Sequence, residues 1–114
     1  MTESTQTRDN ENVMRELRCG AGQMRFFALV GKRWTLAILA MLIQRPARFS
    51  ELARAVPGLS ERVMNERLQE LVEAGLVERR VDPGPPVATT YALTSRGERL
   101  RAPLQHLMES ASSL

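Results

Sequence analysis

The sequence has one cysteine and one histidine. One cysteine closes no intrachain disulfide, which points to a reducing cytoplasm as the protein's home. One Cys and one His cannot make a zinc site either. There is no glycine-rich phosphate loop and no nucleophile–base constellation, so nothing suggests an enzyme or a cofactor. No apolar run approaches the ~20 residues of a membrane span. The polar start, MTESTQTRDNENV, is neither a signal peptide nor an anchor. Lysine is nearly missing: fifteen of sixteen cations are arginine, against thirteen acids, for a net charge of +3. Arginine is the better phosphate fork. A GC-rich genome produces the same bias, so charge by itself is a weak sign of nucleic acid.

What remains fits one domain of 114 residues with short tails. Residues 1–12 carry no aromatic and no hydrophobic periodicity and are expected to form a flexible tail. From Val13 to Val30 apolar residues recur at helical spacing. Gly20 and Gly22 predict a break near Cys19–Gly22 and a firmer helix from about Gln23. After Gly31, the residues Trp34, Ala37, Ile38, Met41 and Leu42 mark a central core helix that Pro46 stops. Ala47–Phe49 is a brief extended link. Ser50 is a candidate cap for a helix from Glu51 to Val56, with Leu52, Ala55 and Val56 inward. Pro57–Gly58 is a strong turn signal.

The best-marked element follows. Ser60 is an N-cap candidate, and Leu59 and Met64 have the spacing of a hydrophobic staple. Gly75 stands where a helix ends in a left-handed residue, with Leu76 folding back onto Leu71. These residues bound a helix of about Glu61 to Ala74. Met64, Leu68, Leu71 and Val72 form one face; Arg62, Glu66, Gln69, Glu70 and Glu73 form the other. Leu76 to Asp82 reads as a strand, PGPP as a connector that cannot be helical, and Ala88 to Leu93 as the returning strand. Thr94 caps a last helix that carries Leu100, Leu104, Leu107 and Met108, with Pro103 expected to bend it. The domain spans residues 13–110, with 111–114 a short tail.

The fold class is therefore mostly α with a small β-hairpin, in the order of a winged helix-turn-helix. Such a capped helix can lie in a DNA major groove about 12 Å wide with its first residues at base edges. Its N-terminus also attracts phosphate.

The segments Gly31–Leu39, RFSEL, LSERVMNERLQELVEAGLVERR and YALTSRG together resemble the HxlR-type branch of MarR-like bacterial regulators, over about residues 23–108. The resemblance implies a cytoplasmic homodimer that binds palindromic double-stranded DNA, with the first and last helices forming the dimer. Family members often carry a charge near Ala88 and a Cys-Pro pair near the N-terminus; here the wing tip is PGPPVA and the pair is Cys19-Gly20.

Arg62 is the first candidate for base readout, since Arg bidentate to guanine is the commonest specific contact. Asn65 and Gln69 suit adenine, Val63 a thymine methyl, and Ser60 and Ser50 phosphate. Glu66 accepts from cytosine or orients Arg62 or Arg67. Glu70 and Glu73 are expected to face solvent away from the duplex. The bland alternative for each is a solvated helix face, and for Val63 partial burial. Because four Glu outnumber two Arg on this helix, attraction must come from Arg48, Arg54, Arg79 and Arg80. The acidic face and uncharged wing tip motivate a rival reading, a winged helix that binds protein rather than DNA. The dimer surface implied by the resemblance takes in Phe26, Phe27, Trp34, Leu100, Leu104, Leu107 and Met108. Trp34 reads equally as core. An apolar effector pocket lined by Phe26, Phe27, Trp34 and Leu107 is one route to control. Cys19 beside Arg18 is the candidate redox sensor for a thiol-reactive signal, or else a small apolar helix residue. His106 reads as a surface residue.

Overall fold

The computed structural model describes residues 16–114. The expected tail and the apolar positions Val13 and Met14 lie outside them. Six helices and three strands follow in order among the described residues. They are α1 (Ala21–Val30), α2 (Thr35–Leu42), β1 (Ala47–Arg48), α3 (Phe49–Ala55), α4 (Glu61–Glu73), β2 (Val77–Asp82), β3 (Ala88–Leu93), α5 (Ser95–Glu98) and α6 (Arg101–Ala111). No helix among them is long and apolar enough to cross a membrane.

The core forms where α2, α3, α4 and the sheet meet. Ile38, Leu39, Leu42, Leu52, Met64, Leu68, Leu71 and Val77 are almost completely excluded from solvent. Burying a side chain of this size stabilises the fold by ~1.5–3 kcal/mol before entropy is counted. The mean hydropathy of α2 is high because the core surrounds it. It begins at Trp34, which is held at φ 82°.

Two short helices start differently from expectation. α1 begins at Ala21, with Gly22 inside its first turn, and the Gln23 side chain accepts the Gly20 N–H at 2.8 Å. Cys19 precedes this helix, exposed in irregular backbone, so it is not a helix residue. α3 begins at Phe49 rather than Glu51. Its cap is the Glu51 carboxylate reaching back to the Arg48 N–H at 2.9 Å, which leaves Ser50 exposed in the first turn. A carboxylate there also suits the positive helix end. Ala55 is exposed, so Leu52 and Val56 do the packing.

The hairpin gains a third strand. The sheet order is β1-β3-β2, antiparallel throughout, with Ala47 opposite Tyr91 and Arg48 opposite Thr90. Otherwise β3 would present a bare edge of N–H and C=O groups on that side. On the other side Val77 to Asp82 pair with Leu93 to Ala88.

The last helix is two. Thr94 caps α5 by accepting the Gly97 N–H at 3.0 Å. The Arg99 and Leu100 N–H groups then bond three residues back, to Arg96 and Gly97, and the chain restarts as α6. Pro103 is the third residue of α6, where the helix needs no N–H, so it starts a helix rather than bending one. Arg101 stitches this joint to the core by donating to the Ile43 carbonyl while pairing with Glu98 at 2.8 Å. Helix α6 runs to Ala111, one residue past the expected end.

Candidate nucleic-acid interface

Helices α3 and α4 and the turn between them form the helix-turn-helix. At the turn Gly58 has φ 86°, a left-handed conformation that glycine adopts without strain. The Trp34 ring lies under it; a Cβ on Gly58 would sit 3.5 Å from that ring. The Arg33 guanidinium stacks 4.6 Å above the Trp34 ring centroid. Trp34 is therefore half-buried against its own chain's reading head, a different setting from the dimer surface expected for it.

α4 is bounded at both ends by its own sequence. Ser60 Oγ accepts the Val63 N–H at 3.1 Å. At the other end Gly75 is left-handed, its N–H bonds to the Val72 carbonyl, and the Leu76 N–H bonds to the Leu71 carbonyl at 3.0 Å. That closure is a Schellman motif. Met64, Leu68 and Leu71 pin the helix to the core. Their burial leaves Glu61, Arg62, Asn65, Glu66, Gln69 and Glu73 exposed along one strip. Val63 is half-buried at its edge.

The exposed strip is pre-wired. Arg62 pairs with Glu66 at 3.0 Å, one turn on. Gln69 donates to Glu73 at 3.2 Å. Glu66 thus orients Arg62, while Arg67 lies farther from it, at 4.0 Å. Arg67 is turned inward: its side chain is 18% exposed and donates to the Arg33 carbonyl at 3.0 Å. It also meets Glu70 at 3.4 Å, and Glu70 meets Lys32 at 2.7 Å. Glu70 is therefore not a free solvent-facing acid. Lys32, Arg67 and Glu70 cross-link α4 to the α1–α2 turn and fix the angle at which the helix is presented. Sequence reading missed this clamp. Its signal was available: Arg67 and Glu70 flank the Met64–Leu68–Leu71 stripe at i+3 spacing.

Removing the clamped Arg67 and Glu70 leaves one arginine against Glu61, Glu66 and Glu73 on the strip. Cations around the helix must offset them. Arg48 stands exposed at the end of β1 beside exposed Ser50, and Arg54 is exposed on α3. Among the described residues the Arg48, Arg54 and Arg79 side chains have no ion-pair partner. Arg80 is tied to Glu78 at 2.6 Å. Arg79 and Arg80 are neighbours in β2, so their side chains take opposite faces of the sheet. The wing thus brings one of them, not both, to any one flank. Its tip carries exposed Val87, and Asp82 accepts the Gly84 N–H at 3.2 Å.

Wing and helix are locked to each other. Thr94 Oγ1 donates to the Gly75 carbonyl at 2.6 Å, joining the end of β3 to the end of α4. Gly97 lies so close that a Cβ there would fall 2.1 Å from the Leu76 carbonyl oxygen.

Outside the reading head, α1 and α6 expose apolar side chains. Phe27 is 53% exposed and Leu107 55%, with Met24 and Met108 also well exposed. Leu104 is buried, and Phe26 and Leu100 are half-buried. A cavity of about 480 Å³ opens beside Phe26, but neither Phe27, Trp34 nor Leu107 lines it.

The arrangement matches known regulators in sequence and in shape. The profile of the family described as HxlR-like helix-turn-helix matches residues 29–114. The HTH-type transcriptional regulator YodB of Bacillus subtilis is 41% identical over 81 residues, covering 71% of this chain and 72% of YodB. The reduced form of YodB superposes with a TM-score of 0.74 at 35% identity, covering 85% of this chain and 95% of that one. Its diamide-treated form gives 0.71 at 35% identity, covering 87% and 97%. A MarR-family regulator from Porphyromonas gingivalis W83 gives 0.74 at 28% identity, covering 83% and 94%.

Proposed function

The chain belongs to the HxlR-like helix-turn-helix family of transcriptional regulators, and from that premise we propose that it is a cytoplasmic, homodimeric repressor that binds a palindromic operator. The observation that carries the reading is α4: capped by Ser60, pinned by three buried residues, and presenting Arg62, Asn65 and Gln69 outward. Arg62 reads guanine, Asn65 and Gln69 read adenine, and Val63 meets a thymine methyl from the edge of the strip. Ser50, Ser60, Arg48 and whichever of Arg79 and Arg80 faces the duplex hold phosphates. Glu66 holds Arg62 in register. The domain is residues 13–110 with short tails.

The exposed apolar residues of α1 and α6 support dimerisation. Phe26, Phe27, Leu100, Leu104, Leu107 and Met108 would close over one another across a two-fold axis. Two α4 helices about 34 Å apart would then enter successive major grooves. The test is footprinting on DNA upstream of the protein's own gene, with a transcription reporter beside it. A two-fold symmetric protected site is expected, with higher reporter output when the gene is deleted. Sequence-blind binding would overturn the reading.

The negative strip on α4 favours one second reading, a protein-binding winged helix. Absence of any DNA shift at low salt would favour it. Control by a thiol-reactive signal is also proposed. It is supported by the exposure of Cys19 just ahead of α1 and by the relative solved after diamide treatment. Oxidant should release DNA from wild type and not from Cys19→Ser; an equal response in both removes Cys19 from the mechanism. A small apolar effector is the rival signal.

A further inference from the structure

The cavity beside Phe26 is built from three elements. Arg25, Phe26 and Leu29 come from α1, Ala74 and Leu76 flank the end of α4, and Arg96, Arg99 and Leu100 come from α5 and the joint after it. Its floor is apolar and its rim is cationic. No aspartate or glutamate lines it. Among the described residues none of the three arginine side chains has a hydrogen-bond or ion-pair partner. This contrasts with Arg45, Arg62, Arg67, Arg80 and Arg101, all of which are paired. Three unpaired guanidinium groups around an apolar hollow leave positive charge that a ligand can neutralise. At about 480 Å³ the space lies within the ~300–1,000 Å³ usual for small-molecule sites.

We propose that this cavity binds a small organic anion with an apolar body, of which an aryl carboxylate is the simplest case. The ring lies on Phe26, Leu29 and Leu100, and the carboxylate is held by Arg96 and Arg99 with Arg25 at the mouth. Guanidinium and carboxylate match as planar, charge-assisted hydrogen-bonding partners. The ligand bridges α1 to the left-handed residue that ends α4, because Ala74 and Leu76 flank Gly75. Occupancy therefore changes how the reading helix sits relative to the proposed dimer helix. This deepens the reading of an effector-controlled regulator and rests on it.

The test uses the full chain, with 2-naphthoate and uncharged 2-naphthalenemethanol as probes, by calorimetry. Saturable binding of 2-naphthoate is expected, at least tenfold tighter than the alcohol. Arg96→Gln and Arg99→Gln should each weaken 2-naphthoate about tenfold and leave the alcohol unchanged. Gly22→Trp blocks the mouth without removing a core residue. Gly22 is exposed, and a Cβ there meets Arg25 Nη2 at an ordinary 3.7 Å. This variant should lose both probes. Saturating 2-naphthoate should shift the DNA affinity of wild type and not of Gly22→Trp. Equal binding of the two probes, no saturable binding, or arginine variants that bind like wild type would overturn the site. Arginine-dependent binding with unchanged DNA affinity would overturn the regulatory role. A protein that binds 2-naphthoate but no DNA would retain the site and remove the regulator reading.

Discussion

Replacing Arg62 by alanine separates a reading residue from a structural one. Its side chain is 81% exposed, and its one partner, Glu66, is 47% exposed. An exposed i,i+4 pair of this kind contributes only ~0.3–0.5 kcal/mol to stability. Urea denaturation at fixed protein concentration should therefore barely distinguish Arg62→Ala from wild type. DNA binding should respond quite differently. Loss of a bidentate guanine contact costs ~1–3 kcal/mol, or roughly 5- to 150-fold in affinity. The loss should be confined to operators with guanine at the contacted position, and the slope of log affinity against log salt should be kept. Arg79→Ala makes the contrasting case. If Arg79 is the wing residue on the duplex, affinity should fall for every sequence and the slope should drop by ~0.9. Mobility shifts on a set of single-base operator variants at several salt concentrations would measure both. Should Arg62→Ala weaken all sequences alike and flatten the salt slope, Arg62 is a phosphate clamp. The proposed readout by the first turns of α4 would then be refuted.

Ser60→Ala removes the hydroxyl that accepts the Val63 N–H and should cost ~1 kcal/mol in denaturant unfolding; an unchanged midpoint would deny the cap its role. Gly97→Ala forces a Cβ against the Leu76 carbonyl, so destabilisation of ~3 kcal/mol or failure to fold is expected, and a neutral result would mean that α5 can move freely away from α4. Glu51 gives a pH signature. Hydrogen bonding from Arg45, then the Arg48 N–H, lowers its pKa from 4.5 to about 2. A carboxyl with a lowered folded-state pKa contributes stability above its unfolded value. That contribution is lost as pH falls from about 4.5 towards 2. Wild type should thus lose stability across this window more steeply than Glu51→Gln, and parallel curves would count against the capping role.

The sequence by itself determined the elements whose limits close locally. Ser60 reaches an N–H three residues on, and Gly75 allows the helix end to fold back within one turn. Pro57–Gly58 forces the turn, and Ala88 to Leu93 alternate as a strand bounded by the PGPP connector. Side chains, caps and breakers a few residues apart interact in almost any fold, so they can be read from order alone. The reading face of α4 was legible for the same reason, because its apolar stripe leaves only one strip outward.

Tertiary structure decided the rest. Ala47–Arg48 became a strand only because Tyr91 and Thr90 offered an open edge. Trp34 went under the Gly58 turn rather than to the expected dimer surface. Arg67 turned from the helix surface to the Arg33 carbonyl, and Arg101 to the Ile43 carbonyl 58 residues away. Those polar groups gain partners only once the core has collapsed and brought distant backbone alongside. The three arginines of the cavity show the same dependence: spaced along the chain they are ordinary surface charges, and packing alone gathers them around one apolar hollow.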